Sequence, residues 1–502
     1  MGDPAAGAGT PLVVRTAAGA VRGRREAGLT AWRGIPFAAP PVGRLRLRAP
    51  EPPERWPGVL DATRDGPLPL QPRSASLIGA TRTSVQDEDC LTLTVVRRTA
   101  GTTPKPVMVF IHGGAYGVGG ASATAYRGEA LAAAGDVVFV GFNYRLGALG
   151  WLDCSAYGTT ARPIDSNPGL RDQVAALEWV RDEIAAFGGD PGDVTLFGES
   201  AGGTSVLTLL TVPAARGLFA RAAVESAALS TVQTAERSRG WADELVEALP
   251  GTGASALLDA SPAELIAETV RLDVALSDRL PGARLLAPVV DGDLLPEDPL
   301  AVLRRGDGAP VPLLIGTNAD EGTLFQRMRT LRATSGRLDV LFTESLPDAR
   351  DALLALYPRA DSPRRLARFV TDLVFWTSSV DAAAGHSGVA DTWMYRFDFA
   401  PPALRALGLG AAHGSELDHV FARADGPTRR VATALGGRRA FRALTRRTSA
   451  AWISFARTGS PPAAWPRYDA EHRRTVVLDV RQRVVEDPEA AVRDAWAAWR
   501  AG

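Results

Sequence analysis

The stretch from residue 194 to 203 constrains the fold most strongly, because it combines an apolar run, a serine turn and the start of a helix. The apolar run precedes Ser200 and predicts a buried strand. Gly198 and Gly202 flank the serine, and residues without a Cβ atom let backbone segments pass closely at a tight strand-to-helix turn. Two interpretations follow: an ordinary glycine-rich turn, or a turn that presents Ser200 as a nucleophile.

Two backbone segments could supply hydrogen-bond donors beside Ser200. The helix after the serine begins with unpaired N–H groups at the positive end of its dipole, so the N–H of Ala201 is one candidate. Gly113, Gly114 and Ala115 follow the apolar run 107–111 and His112, and they offer further N–H groups. Such donors suit the negative charge that develops during acyl transfer. The alternative is a loop made for flexibility, whereas a phosphate loop would need a Gly-Lys-Ser/Thr sequence.

The charge balance excludes one broad class of partner. The 502 residues include 56 Lys and Arg against 56 Asp and Glu, so neither nucleic acid nor an anionic membrane is attracted electrostatically. No apolar run reaches membrane-spanning length, and residues 1–10 lack the pattern of a signal peptide. Cys90 and Cys154 do not make a disulfide framework. We expect a cytoplasmic monomer or weak homo-oligomer with no metal or other cofactor.

Continuous apolar runs predict the central strands of a mostly parallel sheet. A helix predicted over 169–187 separates two of them, and a crossover of this length implies a βαβ unit. Short extended segments between 11 and 60 predict a small antiparallel sheet. We expect one domain over residues 1–502, with cap-like helical excursions around 231–285 and 325–385. The predicted strands are 89–96, 107–111, 136–142, 194–197, 222–226, 311–317 and 393–397.

A serine hydroxyl becomes a good nucleophile only when an imidazole takes its proton and a carboxylate orients that imidazole. Of the five histidines, the order serine, acid, histidine leaves only those after Ser200. His413 lies in a small-residue loop that would let its ring reach a strand end, whereas His419 fits a packed position on a helix. Asp320 and Glu321 both follow the same apolar strand, so spacing leaves the choice of acid open.

Eight motifs in one order carry a resemblance to a known family. They are 34–38 (GIPFA), 88–91 (EDCL), 112–115 (HGGA), 143–147 (NYRLG), 187–191 (FGGDP), 197–203 (FGESAGG), 320–322 (DEG) and 413–417 (HGSEL). Together they cover nearly the whole chain, which therefore resembles the type-B carboxylesterase family of α/β hydrolases. Bacterial p-nitrobenzyl esterases and cholinesterases belong to this family.

The resemblance implies an α/β-hydrolase fold and assigns roles to particular residues. It makes Ser200 the nucleophile, His413 the base, and Glu321 rather than Asp320 the acid. The implied oxyanion donors are Gly114, Ala115 and Ala201. The residues implied to support them are Gly113 as a hinge, Glu199 as a carboxylate that modulates the histidine, and Ser226 as a buried polar serine. Two structural ion pairs are also implied, namely Arg46 with Glu88 and Arg145 with Asp172.

The chain departs from many relatives at two places. In many secreted relatives, a disulfide to a cysteine in the stretch equivalent to residues 66–71 closes the loop before Cys90. Residues 66–71 of this chain contain no cysteine, which favours an intracellular form without this disulfide. Residues 73–86 contain no aromatic side chain to attract a quaternary ammonium group, so choline esters are not expected as substrates.

The expected activity is hydrolysis of small-molecule carboxylic esters through an acyl-enzyme intermediate. The same three residues could instead cleave carbamates or amides, or transfer an acyl group to an alcohol in a biosynthetic pathway. A non-catalytic binding protein is a more distant alternative, because such relatives typically lose a member of the triad and this chain keeps all three.

Overall fold

An 11-stranded sheet lies at the centre of the part of the chain that the structure describes. The computed structural model describes residues 12–73, 78–99, 103–279, 284–328, 347–357, 362–425 and 427–501. The strands are β1 Val13–Arg15, β2 Ala20–Arg22, β3 Arg24–Glu26, β4 Leu29–Pro36, β5 Val59–Asp61, β6 Thr92–Arg98, β7 Lys105–Ile111, β8 Val138–Phe142, β9 Gly189–Glu199, β10 Arg221–Glu225, β11 Gln233–Thr234, β12 Val289–Val290, β13 Leu313–Asn318, β14 Thr392–Phe397, β15 Thr475–Leu478 and β16 Arg483–Val485.

Helices connect most of these strands. The α-helices in the described ranges are Glu129–Gly135, Ala148–Trp151, Pro168–Glu183, Ala201–Leu209, Ala235–Ala248, Gly253–Leu258, Pro262–Arg279, Pro299–Arg304, Gly322–Met328, Pro347–Leu356, Pro363–Val370, Thr377–His386, Pro402–Ala406, Leu417–Val420, Pro427–Ala432, Arg438–Thr458 and Ala490–Ala501.

The strand order places four loops at one edge of the sheet. The order is β16-β15-β14-β13-β10-β9-β7-β8-β6-β4-β3, and the strands from β8 to β15 pair in parallel. Antiparallel pairs flank this centre on both sides. The predicted large, mostly parallel sheet is therefore confirmed. Because parallel strands end at the same edge, the loops after β7, β9, β13 and β14 meet there.

The small N-terminal sheet differs from its prediction in one strand. β1 and β2 pair in antiparallel fashion as expected, but β5 joins β2 in parallel. The small N-terminal sheet is thus present as predicted, and only the pairing of β5 departs from the antiparallel arrangement. The chain between β2 and β5 is long enough to return in the same direction, and the pattern of short extended segments could not reveal that.

The central strands are apolar along their whole length because both faces are covered. Along β7, Val107 and Val109 pack into one buried cluster, and Met108 and Phe110 pack into another on the opposite face. Helix Pro168–Glu183 contributes to the first cluster, and helix Arg438–Thr458 contributes to the second. This sandwich explains why the sequence shows continuous apolar runs rather than alternation.

The helix predicted over 169–187 is present in two parts. Pro168–Glu183 is α-helical, and Ile184–Phe187 tightens into a 3₁₀ turn that ends at Gly188 in a left-handed conformation (φ 81°). The regions of the two predicted excursions are largely helical where described, although residues 280–283, 329–346 and 358–361 lie outside the described residues. The strands β15 and β16 were not predicted.

Two ion pairs join distant segments of the fold. Arg46 donates to Glu88 at 2.6 and 2.8 Å, and Arg145 donates to Asp172 at 2.6 and 2.8 Å. Both pairs implied by the resemblance are formed. The two cysteines are free and buried. Within the described ranges, the helices are all too short or too polar to cross a lipid bilayer.

Candidate active site

Ser200 occupies a strained turn between β9 and helix Ala201–Leu209. Its φ of 60° and ψ of −123° are rare for a residue with a side chain, and its N–H donates to the carbonyl of Glu225 at 2.9 Å. A Cβ atom on Gly198 would lie 2.6 Å from the carbonyl carbon of Gly202, and one on Gly202 would overlap the carbonyl oxygen of Ile111. The two glycines are therefore required by the close approach of three backbone segments.

Glu321 is the acid that reaches His413. Its Oε2 atom lies 2.5 Å from Nδ1 of the imidazole, and its Oε1 accepts a hydrogen bond from the N–H of Asn318 at 2.7 Å. Asp320 points elsewhere, because its Oδ2 accepts from the N–H of Ala411 at 2.9 Å. The structure thus separates the two neighbouring acids that spacing alone left open: one contacts the ring, and the other fixes the loop that carries it.

The ring of His413 is held between two phenylalanines and a second carboxylate. The centroids of Phe325 and Phe375 each lie 4.9 Å from the imidazole centroid. Phe375 belongs to a π-helical segment, Thr371–Trp376, which interrupts two α-helices. Oε1 of Glu199 is 3.2 Å from Nε2, but this buried nitrogen has no hydrogen-bond partner among the described residues. Nε2 therefore remains available as a proton acceptor.

Opposing effects set the protonation of this site. Burial disfavours a charged His413, but the carboxylates of Glu199 and Glu321 outweigh it and raise the pKa of the imidazole to about 9. Burial raises the pKa of Glu199 to about 7, against the attraction of His413 and with the repulsion of Glu321. The two carboxylates thus stabilise the charged imidazole, which is the form His413 would take after accepting a proton.

Replacing Glu199 with glutamine should move the acid limb of the pH profile to lower pH. The resemblance makes His413 the general base, and a general base must be neutral, so kcat/KM is expected to rise as the pH passes the pKa of His413 in the free enzyme. Without the Glu199 charge that pKa falls, by about one to three units for an opposite charge at this distance. The measurement is kcat/KM for p-nitrophenyl acetate between pH 5 and 10, with exposed Glu178→Gln as the control. An unchanged acid limb in the Glu199 variant would contradict this reading.

The loop after β7 passes directly over the serine. A Cβ atom on Gly113 would lie 2.6 Å from the carbonyl oxygen of Glu199 and 3.0 Å from Cβ of Ser200, so this position requires glycine. Gly114 and Ala115 follow with positive φ values of 115° and 52°. Within the described ranges, the N–H groups of Gly114, Ala115 and Ala201 donate no hydrogen bond. These three N–H groups are the predicted oxyanion donors, and two of them, on Gly114 and Ala115, belong to residues that line the cavity beside Ser200.

Ser226 belongs to a buried polar group that the sequence did not reveal in full. Its hydroxyl donates weakly to Oε1 of Glu416 at 3.5 Å, and Nδ2 of Asn318 donates to Oε2 of the same carboxylate. Burial raises the pKa of Glu416 to about 8, and the charges of Glu199 and Glu321 act in the same direction. Glu416 stands in the 413–417 motif, but nothing in the local pattern signals that it is buried.

A cavity of about 620 Å³ lies beside Ser200 and His413. Ser200, His413, Glu199, Gly114 and Ala115 all border it. The other lining residues are mostly apolar and include Leu146, Leu149, Leu265, Leu286, Phe325 and Phe399. A mostly apolar cleft with a few convergent polar groups is the usual form of a small-molecule site.

Three of the other four histidines are buried in structural surroundings. His419 lies on helix Leu417–Val420, is buried, and contacts Oγ1 of Thr445 through Nδ1 at 2.9 Å. This confirms the packed helix position predicted for it. His112 stacks on Tyr144 with centroids 4.3 Å apart, and His386 contacts the carbonyl of Val311 at 2.8 Å.

Comparisons with known proteins agree with this fold. The chain matches the model of the carboxylesterase family over residues 10–496. Para-nitrobenzyl esterase of Bacillus subtilis (strain 168) is 38% identical over 96% of this chain and 98% of its own length. Fumonisin B1 esterase of Sphingopyxis macrogoltabida is 35% identical over 91% of this chain and 85% of its own length. A solved PNB esterase structure superposes with a TM-score of 0.87 at 39% identity, covering 97% of this chain and 99% of its own.

A mostly parallel sheet with a serine turn at its carboxyl edge defines an α/β hydrolase. Within that class, the chain belongs to the carboxylesterase family and is a serine hydrolase of carboxylic esters. The predicted family, fold class and enzymatic activity are thus confirmed, and the non-catalytic alternative is not supported.

Proposed function

We propose that Ser200, His413 and Glu321 form the catalytic triad of this esterase. The observation that carries the proposal is the 2.5 Å contact between Oε2 of Glu321 and Nδ1 of His413. His413 and Ser200, which stands on the strained turn, line the same cavity. The proposed oxyanion donors are the N–H groups of Gly114, Ala115 and Ala201. Gly113 serves as their hinge, and Glu199 and Ser226 support the histidine and its surroundings.

In the first half of the reaction, the Oγ atom of Ser200 attacks the ester carbonyl carbon while Nε2 of His413 takes its proton. The carbonyl oxygen becomes an oxyanion that accepts hydrogen bonds from the three N–H groups. Glu321 holds the ring through Nδ1 and stabilises the imidazolium. His413 then donates the proton to the leaving alcohol, and the C–O bond to that alcohol breaks to leave an acyl-enzyme.

In the second half, water enters the position of the alcohol. Nε2 takes one of its protons, and the remaining hydroxide attacks the acyl carbon through the same kind of oxyanion. Collapse breaks the bond to Oγ, and Ser200 regains its proton from His413 as the carboxylic acid leaves. The lack of a hydrogen bond at Nε2 in the free protein suits this role, because catalytic hydrogen bonds often tighten only with substrate bound.

The wider setting of the enzyme is also part of the proposal. We infer a single domain in which the helical excursions form walls of the cavity, since Leu265 and Val270 of one and Phe325 of the other line it. A cytoplasmic location is supported by the two free, buried thiols. The expected partner is a small-molecule ester, and we infer a monomer or weak homo-oligomer.

A fluorophosphonate probe tests the nucleophile without altering the protein. The serine oxygen should displace fluoride from phosphorus, giving one label per chain on the peptide that contains Ser200, as read by mass spectrometry. Denatured protein serves as the control and should take no label. A label on any other residue would contradict the assignment.

Product analysis tests hydrolysis against the transfer alternative. With p-nitrophenyl butyrate and added short-chain alcohols, we expect mainly butyric acid, because water completes the cycle. Matched p-nitroanilide and carbamate substrates should turn over far more slowly than the ester. A dominant butyrate ester of the added alcohol, or faster amide cleavage, would support the alternative functions instead.

A further inference from the structure

Tyr116 stands immediately after the proposed oxyanion donors in an unusual backbone conformation. Ala115 and Tyr116 are consecutive residues with positive φ values of 52° and 59°, although neither is glycine. Such conformations are strained for residues that carry a Cβ atom and persist only where surrounding contacts hold them. The contacts of the buried Tyr116 side chain are therefore the place to look for what fixes this loop.

Those contacts join the loop to the helix that follows Ser200. The Tyr116 hydroxyl donates a hydrogen bond to the carbonyl oxygen of Ala201 at 2.8 Å. It also lies 3.3 Å from the hydroxyl oxygen of Ser205, which accepts from Nε2 of Gln173 at 3.0 Å. Burial raises the pKa of Tyr116, so the hydroxyl stays protonated and remains a donor. One side chain thus bridges two segments more than 80 residues apart in sequence.

The ring and backbone of Tyr116 are fixed as well. The ring packs against Trp151 with centroids 3.9 Å apart, and the carbonyl oxygen accepts from the N–H of Gly147 at 2.8 Å. Removing only the hydroxyl therefore leaves the ring seated in its packing. Phenylalanine at this position isolates the hydrogen bond to Ala201 from the rest of the side chain.

We propose that Tyr116 is a positioning residue that holds the two parts of the oxyanion hole in register. The inference rests on the proposed function, in which Gly114 and Ala115 supply two donors and Ala201 supplies the third. The hydroxyl of Tyr116 ties the residue after the first two donors to the residue that carries the third. Donors must lie about 2.7–3.1 Å from the developing oxyanion, so a small relative shift weakens all of them together.

The test is Tyr116→Phe, assayed with p-nitrophenyl butyrate. We expect kcat and kcat/KM to fall together by about tenfold to a hundredfold, less than the loss of about 10²- to 10³-fold for a whole donor. Binding of a trifluoromethyl ketone should weaken by a similar factor. In that adduct the serine oxygen bonds to the ketone carbon, the proton moves to His413, and the carbonyl oxygen becomes an oxyanion. Binding of butyramide, a ground-state analogue, should be unchanged.

Tyr157→Phe is the matched control, because its hydroxyl donates to Asp243 at 2.6 Å at an exposed site. This variant should keep wild-type kcat. Wild-type kcat in Tyr116→Phe, or a fall in kcat without weaker ketone binding, would overturn the positioning role. Full activity of Ser200→Ala would instead overturn the proposed function itself, so the two failures are distinguishable.

Discussion

Replacing Ser200 with alanine is expected to lower kcat/KM for p-nitrophenyl butyrate by about 10⁵- to 10⁶-fold. The proposed mechanism needs an oxygen nucleophile at the turn after β9, and the methyl group of alanine cannot form the acyl-enzyme. The oxyanion donors and the cavity would remain, so a residual rate above that in water is expected. The measurement is steady-state turnover at enzyme concentrations high enough to detect this residual rate. Loss of the fluorophosphonate label is measured on the same variant.

Folding should be preserved in this variant, which keeps the result interpretable. Alanine is smaller than serine, and the backbone N–H of residue 200 still donates to Glu225. The melting temperature of Ser200→Ala should stay within a few degrees of the wild-type value. Ser387→Ala removes a hydroxyl bonded within its own turn and should keep full activity. Activity in Ser200→Ala above about one per cent of wild type would contradict the assignment.

Replacing Glu321 with glutamine is expected to lower kcat by about 10³- to 10⁴-fold while leaving the fold intact. A neutral amide cannot stabilise the imidazolium, and its NH₂ group can donate to Nδ1 and so favour the wrong tautomer. The amide oxygen can still accept from the N–H of Asn318, which preserves the local turn. The measurement is single-turnover acylation with p-nitrophenyl butyrate, compared with the thermal unfolding midpoint.

Asp320→Asn is the matched control for this prediction. Asp320 is adjacent in sequence and of the same chemical type, but its carboxylate accepts from the N–H of Ala411. An asparagine oxygen can keep that hydrogen bond, so kcat should change by less than about tenfold. If the bond is weakened, the free energy of unfolding should fall by about 1 kcal/mol. A larger fall in kcat for Asp320→Asn than for Glu321→Gln would reverse the assignment of the acid.

The parts predicted best were those set by local pattern. The apolar run of β7 and the apolar periodicity of helix Pro168–Glu183 each follow from which face of an element is buried, and both elements were found. The turn at Ser200 was readable because two glycines mark a close backbone approach in any context. Local geometry of this kind is encoded within about ten residues, so a single sequence suffices.

The parts that sequence reasoning missed depend on contacts between distant segments. Glu416 is buried against Ser226 and Asn318, which lie at the ends of the distant strands β10 and β13. Phe375 contacts His413 because it lies in a π-helical segment. The N–H of Thr377 donates to the carbonyl of Asp372, five residues earlier, and the spacing of apolar residues does not predict such a bond. The parallel pairing of β5 was missed for the same reason, since strand direction depends on the path of the chain between pairs.

By itself, the sequence determined that a serine stands on a glycine-flanked turn, that parallel strands surround it, and that His413 is the best-placed histidine after it. The choice of acid from the residues alone stayed open between two neighbours, and only the resemblance favoured Glu321. The tertiary structure decided which carboxylate meets the imidazole, because one residue of difference after β13 turns Glu321 toward His413 and Asp320 toward Ala411. The direction in which a side chain points at a turn depends on how distant loops pack against it. The spacing of residues along the chain does not encode that packing.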